Sequence, residues 1–145
     1  MALHLSTEPS LSDFLMEIKM ATRLDIGRYG EEEARKFLKK AGYKIVASNK
    51  RESHKEIDII ATDKEYIAFV EVKTRSVEDD LYNPYGTPAS AVNKKKQNNL
   101  IAAARLYLKN NPSKKQPRMD VIEVYLKKGS YEVLEINHFL GAYHA

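Results

Sequence analysis

The stretch EIDIIATDKEYIAFVEVK, residues 56–73, decides the fold that this sequence predicts. Two runs rich in isoleucine, valine and phenylalanine, at 56–61 and 66–73, flank a short polar segment at 63–65. Such runs separated by a few polar residues predict two antiparallel strands joined by a tight turn. The residues next to the acids are apolar, as in central strands whose opposite face is buried: Ile57, Ile59, Val70 and Val72.

The charged side chains of this hairpin are predicted to gather on one face. Side chains alternate along a strand, so Glu71 points the same way as Lys73, and Glu56 the same way as Asp58. A turn of even length places Asp58 directly opposite Glu71. The same register places Glu56 opposite Lys73, whereas a slip of one residue would separate these groups. We therefore predict an even turn.

Two carboxylates at cross-strand distance indicate a cation. Asp58 and Glu71 would repel each other unless a positive charge lay between them. Mg²⁺ fits this place, since it takes oxygen ligands, binds one or two carboxylates and keeps water and substrate phosphate oxygens. Lys73 would then lie beside the attacking water or the phosphorus. The residues alone leave an alternative open, in which the acids and Lys73 form ordinary surface ion pairs.

Asp58 followed by Glu71-Val72-Lys73 resembles the PD-(D/E)xK motif of nucleases, shared by type II restriction enzymes and archaeal Holliday-junction resolvases. From Gly27 to about Phe139, the chain resembles the bacterial YraN-like family, which is placed in that superfamily. The matching segments are Gly30-Glu31-Glu32-Glu33-Ala34, Asn49-Lys50-Arg51, Glu56–Ala61, Phe69–Arg75, Val92 with Lys96-Gln97, and Arg118–Val121. Lys55 departs from the pattern, because the family usually has a glycine there.

The resemblance implies a restriction-endonuclease-like fold, in which a mixed β-sheet is flanked by helices. It implies that Asp58 and Glu71 hold Mg²⁺ or Mn²⁺ and that Lys73 is the catalytic lysine. Glu32, in the first helix, matches the acid that completes the site in that superfamily. The alternative role for Glu32 is compensation of the helix dipole.

Basic residues indicate a nucleic-acid partner. The net charge of +4 is compatible with a polyanion but does not demonstrate one. The resemblance implies that Lys96 and Gln97 contact phosphate or orient the site at the start of the second helix, where an N-terminus favours anions. Lys94, Lys95 and Arg75 extend this candidate surface. The alternative for the lysines is a solvated surface.

The remaining segments predict the order α-β-β-β-α-β-β. We expect one domain at 21–145, preceded by an extension at 1–20 in which Ser12 caps a short helix. The other predicted elements are a helix from Leu24 to Ala41 followed by Gly42, a strand at 43–47, loops at 49–55 and 76–88, a helix from Ala89 to Asn110, and strands at 119–125 and 131–136.

Composition limits the class of protein. The absence of cysteine excludes disulfides and predicts a reducing cytoplasm. The apolar runs are shorter than the ~20 residues of a membrane helix, and acids near the start argue against a secretion signal. The histidines lack metal-ligand spacing and are expected on the surface. Arg118 and Asp120 are expected to form a structural ion pair, and an exposed segment, Phe139–Tyr143, is a candidate homodimer contact.

The leading hypothesis is therefore a Mg²⁺- or Mn²⁺-dependent endonuclease that hydrolyses phosphodiester bonds of DNA, with branched DNA as a candidate form and RNA as the alternative substrate. The second hypothesis is a nucleic-acid-binding module that has the fold without turnover. The third is a small interaction protein with an ionic surface.

Overall fold

The computed structural model of the chain describes residue 8 and residues 10–78 and 93–144. Its elements follow the predicted order α-β-β-β-α-β-β. They are α1 (Leu11–Lys40), β1 (Lys44–Glu52), β2 (Lys55–Thr62), β3 (Tyr66–Val77), α2 (Lys94–Asn110), β4 (Gln116–Lys127) and β5 (Val133–Tyr143).

The five strands form one mixed sheet in the order β1-β2-β3-β4-β5. Strands β3 and β4 are parallel, and the other neighbours are antiparallel. The parallel pair follows from the crossover through α2, because parallel neighbours need a long connection. The predicted fold class, a mixed α/β sheet flanked by helices, is confirmed.

Each face of the sheet is covered by one helix. On one face, Ala34 and Leu38 of α1 pack against a set of sheet residues that are almost fully buried, Ile59, Ala61, Ala68, Val70, Ile122, Val124 and Leu126. On the other face, Leu100 and Tyr107 of α2 pack against Ile57, Ile60, Ile67, Phe69, Met119 and Val121. The central strands are therefore buried on both faces, whereas the sequence predicted burial on one.

Helix α1 is longer than predicted. It begins after Ser10, whose side chain accepts the Asp13 N–H at 3.2 Å while Asp13 accepts the Ser10 N–H at 3.3 Å. This reciprocal cap satisfies helix N–H groups, so the prediction of a Ser12 cap was wrong. The boundary expected after residue 20 lies inside this helix. Large apolar side chains of its first half are exposed, namely Leu11, Phe14, Leu15, Met16, Ile18 and Leu24.

Two connections differ from the prediction. The segment 49–55 is mostly strand, because β1 continues to Glu52 and β2 begins at Lys55. The predicted loop at 76–88 starts later, since β3 ends at Val77; the rest of it, the predicted helix start at 89–92 and Val92 lie outside the described residues. Among the described non-glycine residues, positive φ occurs at Asn49 and Ser53, so Lys55 is not strained where relatives have glycine.

The segment Phe139–Tyr143 belongs to β5, an edge strand of the sheet. Tyr143 is only 8% exposed and Phe139 packs against the α2-side core, whereas Leu140 is 59% exposed. The expectation of a wholly exposed segment was therefore wrong, and a homodimer remains a prediction. No helix within the described ranges has both the length and the apolar character to cross a membrane.

Candidate active site

The turn between β2 and β3 sets the register of the hairpin. Asp63 Oδ1 accepts the N–H groups of Glu65 at 2.9 Å and Tyr66 at 2.7 Å, an arrangement typical of aspartate in tight turns. The pairing runs from Thr62 opposite Ile67 to Ile59 opposite Val70. This is the predicted even register.

The β2–β3 pairing stops at Ile59 and Val70 although both strands continue. The predicted continuation, with Asp58 opposite Glu71 and Glu56 opposite Lys73, was therefore wrong as strand pairing. Instead, the carboxylate of Asp58 accepts the backbone N–H of Val72 at 2.9 Å. The Asp58 side chain thus accepts the N–H that a backbone carbonyl would accept in a regular strand pair.

Strand β2 changes face at Asp58. Ile57 packs on the α2 side of the sheet and Ile59 packs on the α1 side, although strict alternation would put them on one face. In the neighbouring strand, Asn49 has a positive φ of 50° near the same level. These irregularities accompany the break in the β2–β3 pairing at Asp58.

The break brings the two predicted metal ligands together. Burial, followed by the charge of Glu71, raises the pKa of Asp58 to about 8, against the opposing effect of the Val72 hydrogen bond. The side chain of Glu71 is itself only 7% exposed. Two carboxyl groups therefore lie close together in a partly buried site, and this proximity opposes ionisation of Asp58.

Two lysines contact the same oxygen of Glu71. Lys96 Nζ lies 2.5 Å from Oε1 and Lys73 Nζ lies 3.4 Å from it. Burial and the proximity of Lys96 lower the pKa of Lys73. For Lys96, burial acts in the same direction, but contact with Glu71 outweighs it and the pKa is raised. Lys73 and Lys96 keep 25% and 42% of their side chains exposed, so a ligand can reach both.

Lys96 lies in the first turn of α2, from which its side chain reaches Glu71. Asn93 caps this helix by accepting the N–H of Lys96 at 2.8 Å. Lys94 and Lys95 are exposed on the same turn, and Gln97 is half-buried beside them. Arg75 is exposed on β3, two residues beyond Lys73. Lys94, Lys95 and Arg75 are therefore exposed basic residues on the two elements that carry Lys96 and Lys73.

The helical acid near this pair is Glu31, not the predicted Glu32. Glu32 is exposed and pairs with Arg35 at 2.8 Å. Glu31 is half-buried, and its charge adds to the rise in the pKa of Asp58. Helical periodicity is the signal that could have identified it, because Glu31 precedes the buried Ala34 by three positions and therefore faces the sheet.

Glycine at position 30 allows this approach. A Cβ atom at Gly30 would lie 1.8 Å from Oγ1 of Thr74 on β3, so a larger residue would force the helix and strand apart. Asn49 then fixes Glu31 from the other side: with its amide oriented to satisfy both neighbours, its nitrogen lies 3.0 Å from Glu31 Oε2 and 3.0 Å from Glu56 Oε1. Sequence reasoning assigned no role to Asn49.

A separate charged cluster surrounds Asp120. Arg118 Nε and Nη2 each donate to this carboxylate at 2.8 Å, confirming the predicted structural ion pair. His138 Nε2 is 2.8 Å from Asp120 Oδ2, and its side chain is 10% exposed, so the expectation that all histidines lie on the surface was wrong. The Gly141 N–H also donates to Asp120.

The acidic site is a pair with one nearby helical acid, and no cluster of three or more His, Cys, Asp or Glu side chains arranged to hold an ion is found in the described part of the chain. A pair of oxygen donors still suits Mg²⁺ or Mn²⁺, which keep several waters and need one or two carboxylates.

Comparison with known proteins identifies the relatives. Residues 30–124 match the group described as "Uncharacterised protein family UPF0102". The chain belongs to this family. It is 38% identical over 127 residues to a UPF0102 protein of Caldanaerobacter subterraneus, covering 87% of this chain and all of that protein. It is 45% identical to one of Acetivibrio thermocellus, covering 81% of this chain and 89% of the relative. The YraN-like resemblance is thereby confirmed; the UPF0102 description names no activity.

Proposed function

We propose that this UPF0102 protein is a divalent-metal-dependent nuclease that hydrolyses phosphodiester bonds of DNA. The observation that carries the proposal is the break in the β2–β3 pairing, where Asp58 lies beside Glu71 and two lysines converge on Glu71. The choice of DNA, and of branched DNA among its forms, rests on the resemblance to resolvases and restriction enzymes.

Asp58 and Glu71 would hold Mg²⁺ or Mn²⁺, and Glu31 would complete the acidic environment from α1. When bound, the ion would polarise the phosphodiester and lower the pKa of a water ligand. Oxygen-only donors favour these hard cations over zinc or copper. Lys73 and Lys96 keep part of their side chains exposed, so a phosphate could reach the lysine side of the site.

Lys73 supplies positive charge next to the reacting group. Its ammonium lies 3.4 Å from Glu71 and is partly exposed, so it can hydrogen-bond a phosphate oxygen and stabilise the charge that develops there. Lys96 neutralises Glu71 in the metal-free protein. Once a cation satisfies Glu71, Lys96 is available for a phosphate at the N-terminus of α2.

One observation favours the second candidate, a nucleic-acid-binding module without turnover. Glu71 already has two lysine partners, so the protein does not need a metal to neutralise this carboxylate. In that case Lys94, Lys95 and Arg75 would still bind phosphates. The two candidates differ in whether Mn²⁺ binds at the acidic pair.

Cleavage of labelled linear and branched DNA in Mn²⁺ tests the proposal. We expect cleavage by the wild type, and a loss on the order of a thousandfold in Asp58→Asn and in Lys73→Met, as for removal of groups that stabilise a transition state. Glu32→Gln serves as the matched control, because Glu32 is exposed and should leave cleavage unchanged.

Calorimetric titration of Mn²⁺ separates the candidates. The nuclease requires binding to the wild type that weakens in Asp58→Asn and Glu71→Gln. Absence of Mn²⁺ binding together with retained, salt-dependent DNA binding would favour the module without turnover. Absence of any nucleic-acid binding would favour the interaction protein.

A further inference from the structure

A groove runs between α1 and the sheet on the side opposite α2. One part, about 400 Å³, is lined by Arg23, Arg28, Glu31, Asn49 and Glu56. The adjoining part, about 340 Å³, is lined by α1 residues and by the outer half of β3, including Thr74. The two parts share Arg23, Gly27 and Glu31, so they form one continuous groove.

The groove leads to the acidic pair. Glu31 forms part of its wall, and the charge of Glu31 acts on Asp58. Asn49 contacts both Glu31 and Glu56, which fixes the acidic wall in place. Val72, whose N–H is held by Asp58, also lines the groove, so a ligand lying there would be next to the proposed reaction centre.

Two exposed arginines line the same groove. Arg23 and Arg28 are five residues apart on α1, about 7.5 Å along the helix axis. Neither guanidinium makes a hydrogen bond or ion pair with another described residue. Guanidinium groups with planar N–H donors match phosphate geometry, and these two also offset the charges of Glu31 and Glu56 in the same lining.

We propose that this groove binds the DNA backbone on one side of the scissile phosphate, an inference that rests on the nuclease proposal. Arg23 and Arg28 would each contact one phosphate. The lysines of α2 lie on the opposite face of the sheet, so the two basic regions flank the acidic pair. A strand that crosses the break at Asp58 would contact both. Arg23 and Arg28 lie outside the matched range, 30–124.

Equilibrium binding tests this site without requiring cleavage. In the Asp58→Asn background, the change Arg23→Gln/Arg28→Gln is expected to lower affinity for a fluorescein-labelled DNA duplex by about tenfold. It should also reduce the slope of log K against log salt by about 1.8, the value for two lost phosphate contacts. Circular dichroism and thermal unfolding should be unchanged, because both side chains are exposed.

The matched control is Arg105→Gln/Lys109→Gln, which removes the same charge from exposed positions near the far end of α2. The groove assignment is overturned if both double variants lose affinity equally, if neither changes the salt slope, or if the background protein binds no DNA. Tighter binding of an RNA duplex of the same sequence would overturn the assignment to DNA.

The cleavage assay on the wild-type protein distinguishes the two proposals. If the wild type cleaves DNA but the arginine variant has an unchanged salt slope, the groove proposal is wrong and the nuclease proposal stands. If the wild type cleaves no DNA but the arginine variant has a reduced salt slope, the groove is a DNA-binding site and the nuclease proposal is wrong.

Discussion

Two aspartates in this fold, Asp58 and Asp120, illustrate opposite uses of a buried carboxylate. Asp120 has four hydrogen bonds, from Arg118, His138 and the Gly141 N–H, and these lower its pKa although burial alone would raise it. Asp58 has one backbone donor and an acidic neighbour, and its pKa is raised to about 8. A carboxylate with a full set of donors supports the fold, whereas a carboxyl group whose pKa is strongly perturbed, such as Asp58, is typical of functional sites.

The largest expected change in stability comes from removing Asp120, the carboxylate whose hydrogen bonds are complete. Asp120→Ala leaves the guanidinium of Arg118 without its acidic partner next to the core, so we expect a loss of about 3–5 kcal/mol in the free energy of unfolding. Urea unfolding measures it. A loss smaller than about 1 kcal/mol, the range of an exposed ion pair, would show that the cluster does not stabilise the fold.

The approach of α1 to the sheet provides the next test. Gly30→Ala places a methyl group against Thr74, and overpacking of this kind costs about 1–3 kcal/mol. It should also move Glu31 away from Asp58 and weaken Mn²⁺ binding. The double change Gly30→Ala/Thr74→Ala, which removes both the hydroxyl and the methyl group of Thr74, is the control, and it should recover part of the stability.

Asp58→Asn is expected to change stability in the opposite direction from Asp120→Ala, and to do so in a pH-dependent way. The pKa of Asp58 is about 8 in the folded protein, above its ordinary value of 3.8, which applies to the unfolded chain. The stabilising contribution of its protonated form is therefore complete below pH 3.8 and is lost as the pH rises through 8.

Without metal, the Asp58→Asn variant should therefore be as stable as the wild type near pH 3.8. It should become more stable than the wild type by about 1–2 kcal/mol near pH 8. Thermal unfolding in EDTA at a series of pH values measures the difference. A difference independent of pH would contradict the raised pKa of Asp58.

Glu32→Gln should have the smallest effect. Its pair with Arg35 is an exposed pair within one helix, so we expect no measurable change in stability. Glu31→Gln should instead weaken Mn²⁺ binding severalfold. Equal effects of the two substitutions in a Mn²⁺ titration would contradict the assignment of Glu31 as the helical acid.

Local sequence patterns predicted most of the architecture. The two apolar runs and the Asp63 turn were sufficient for the hairpin and its register, because strand propensity and turn chemistry act over a few residues. Asp58, Glu71 and Lys73 lie together as predicted, but Asp58 and Glu71 are not directly paired across the two strands. Strict alternation could not reveal the change of face at Asp58, since that irregularity arises from packing against α1 and α2.

Tertiary contacts explain the other differences. Glu31 and Glu32 are adjacent and chemically identical, and only the face that carries Ala34 and Leu38 distinguishes them. Asn49 came from a segment predicted as loop, so its bridge between Glu31 and Glu56 was not foreseen. The contact of Lys96 with Glu71 joins residues 25 positions apart and depends on where α2 docks.

The Val72 amide makes the break in the sheet observable without any substrate. Its hydrogen is held by a carboxylate instead of a strand neighbour. The rate at which this hydrogen exchanges with deuterium therefore depends on whether Asp58 keeps its present orientation or turns towards an ion or a nucleotide. A single backbone resonance thus reports how the centre is occupied.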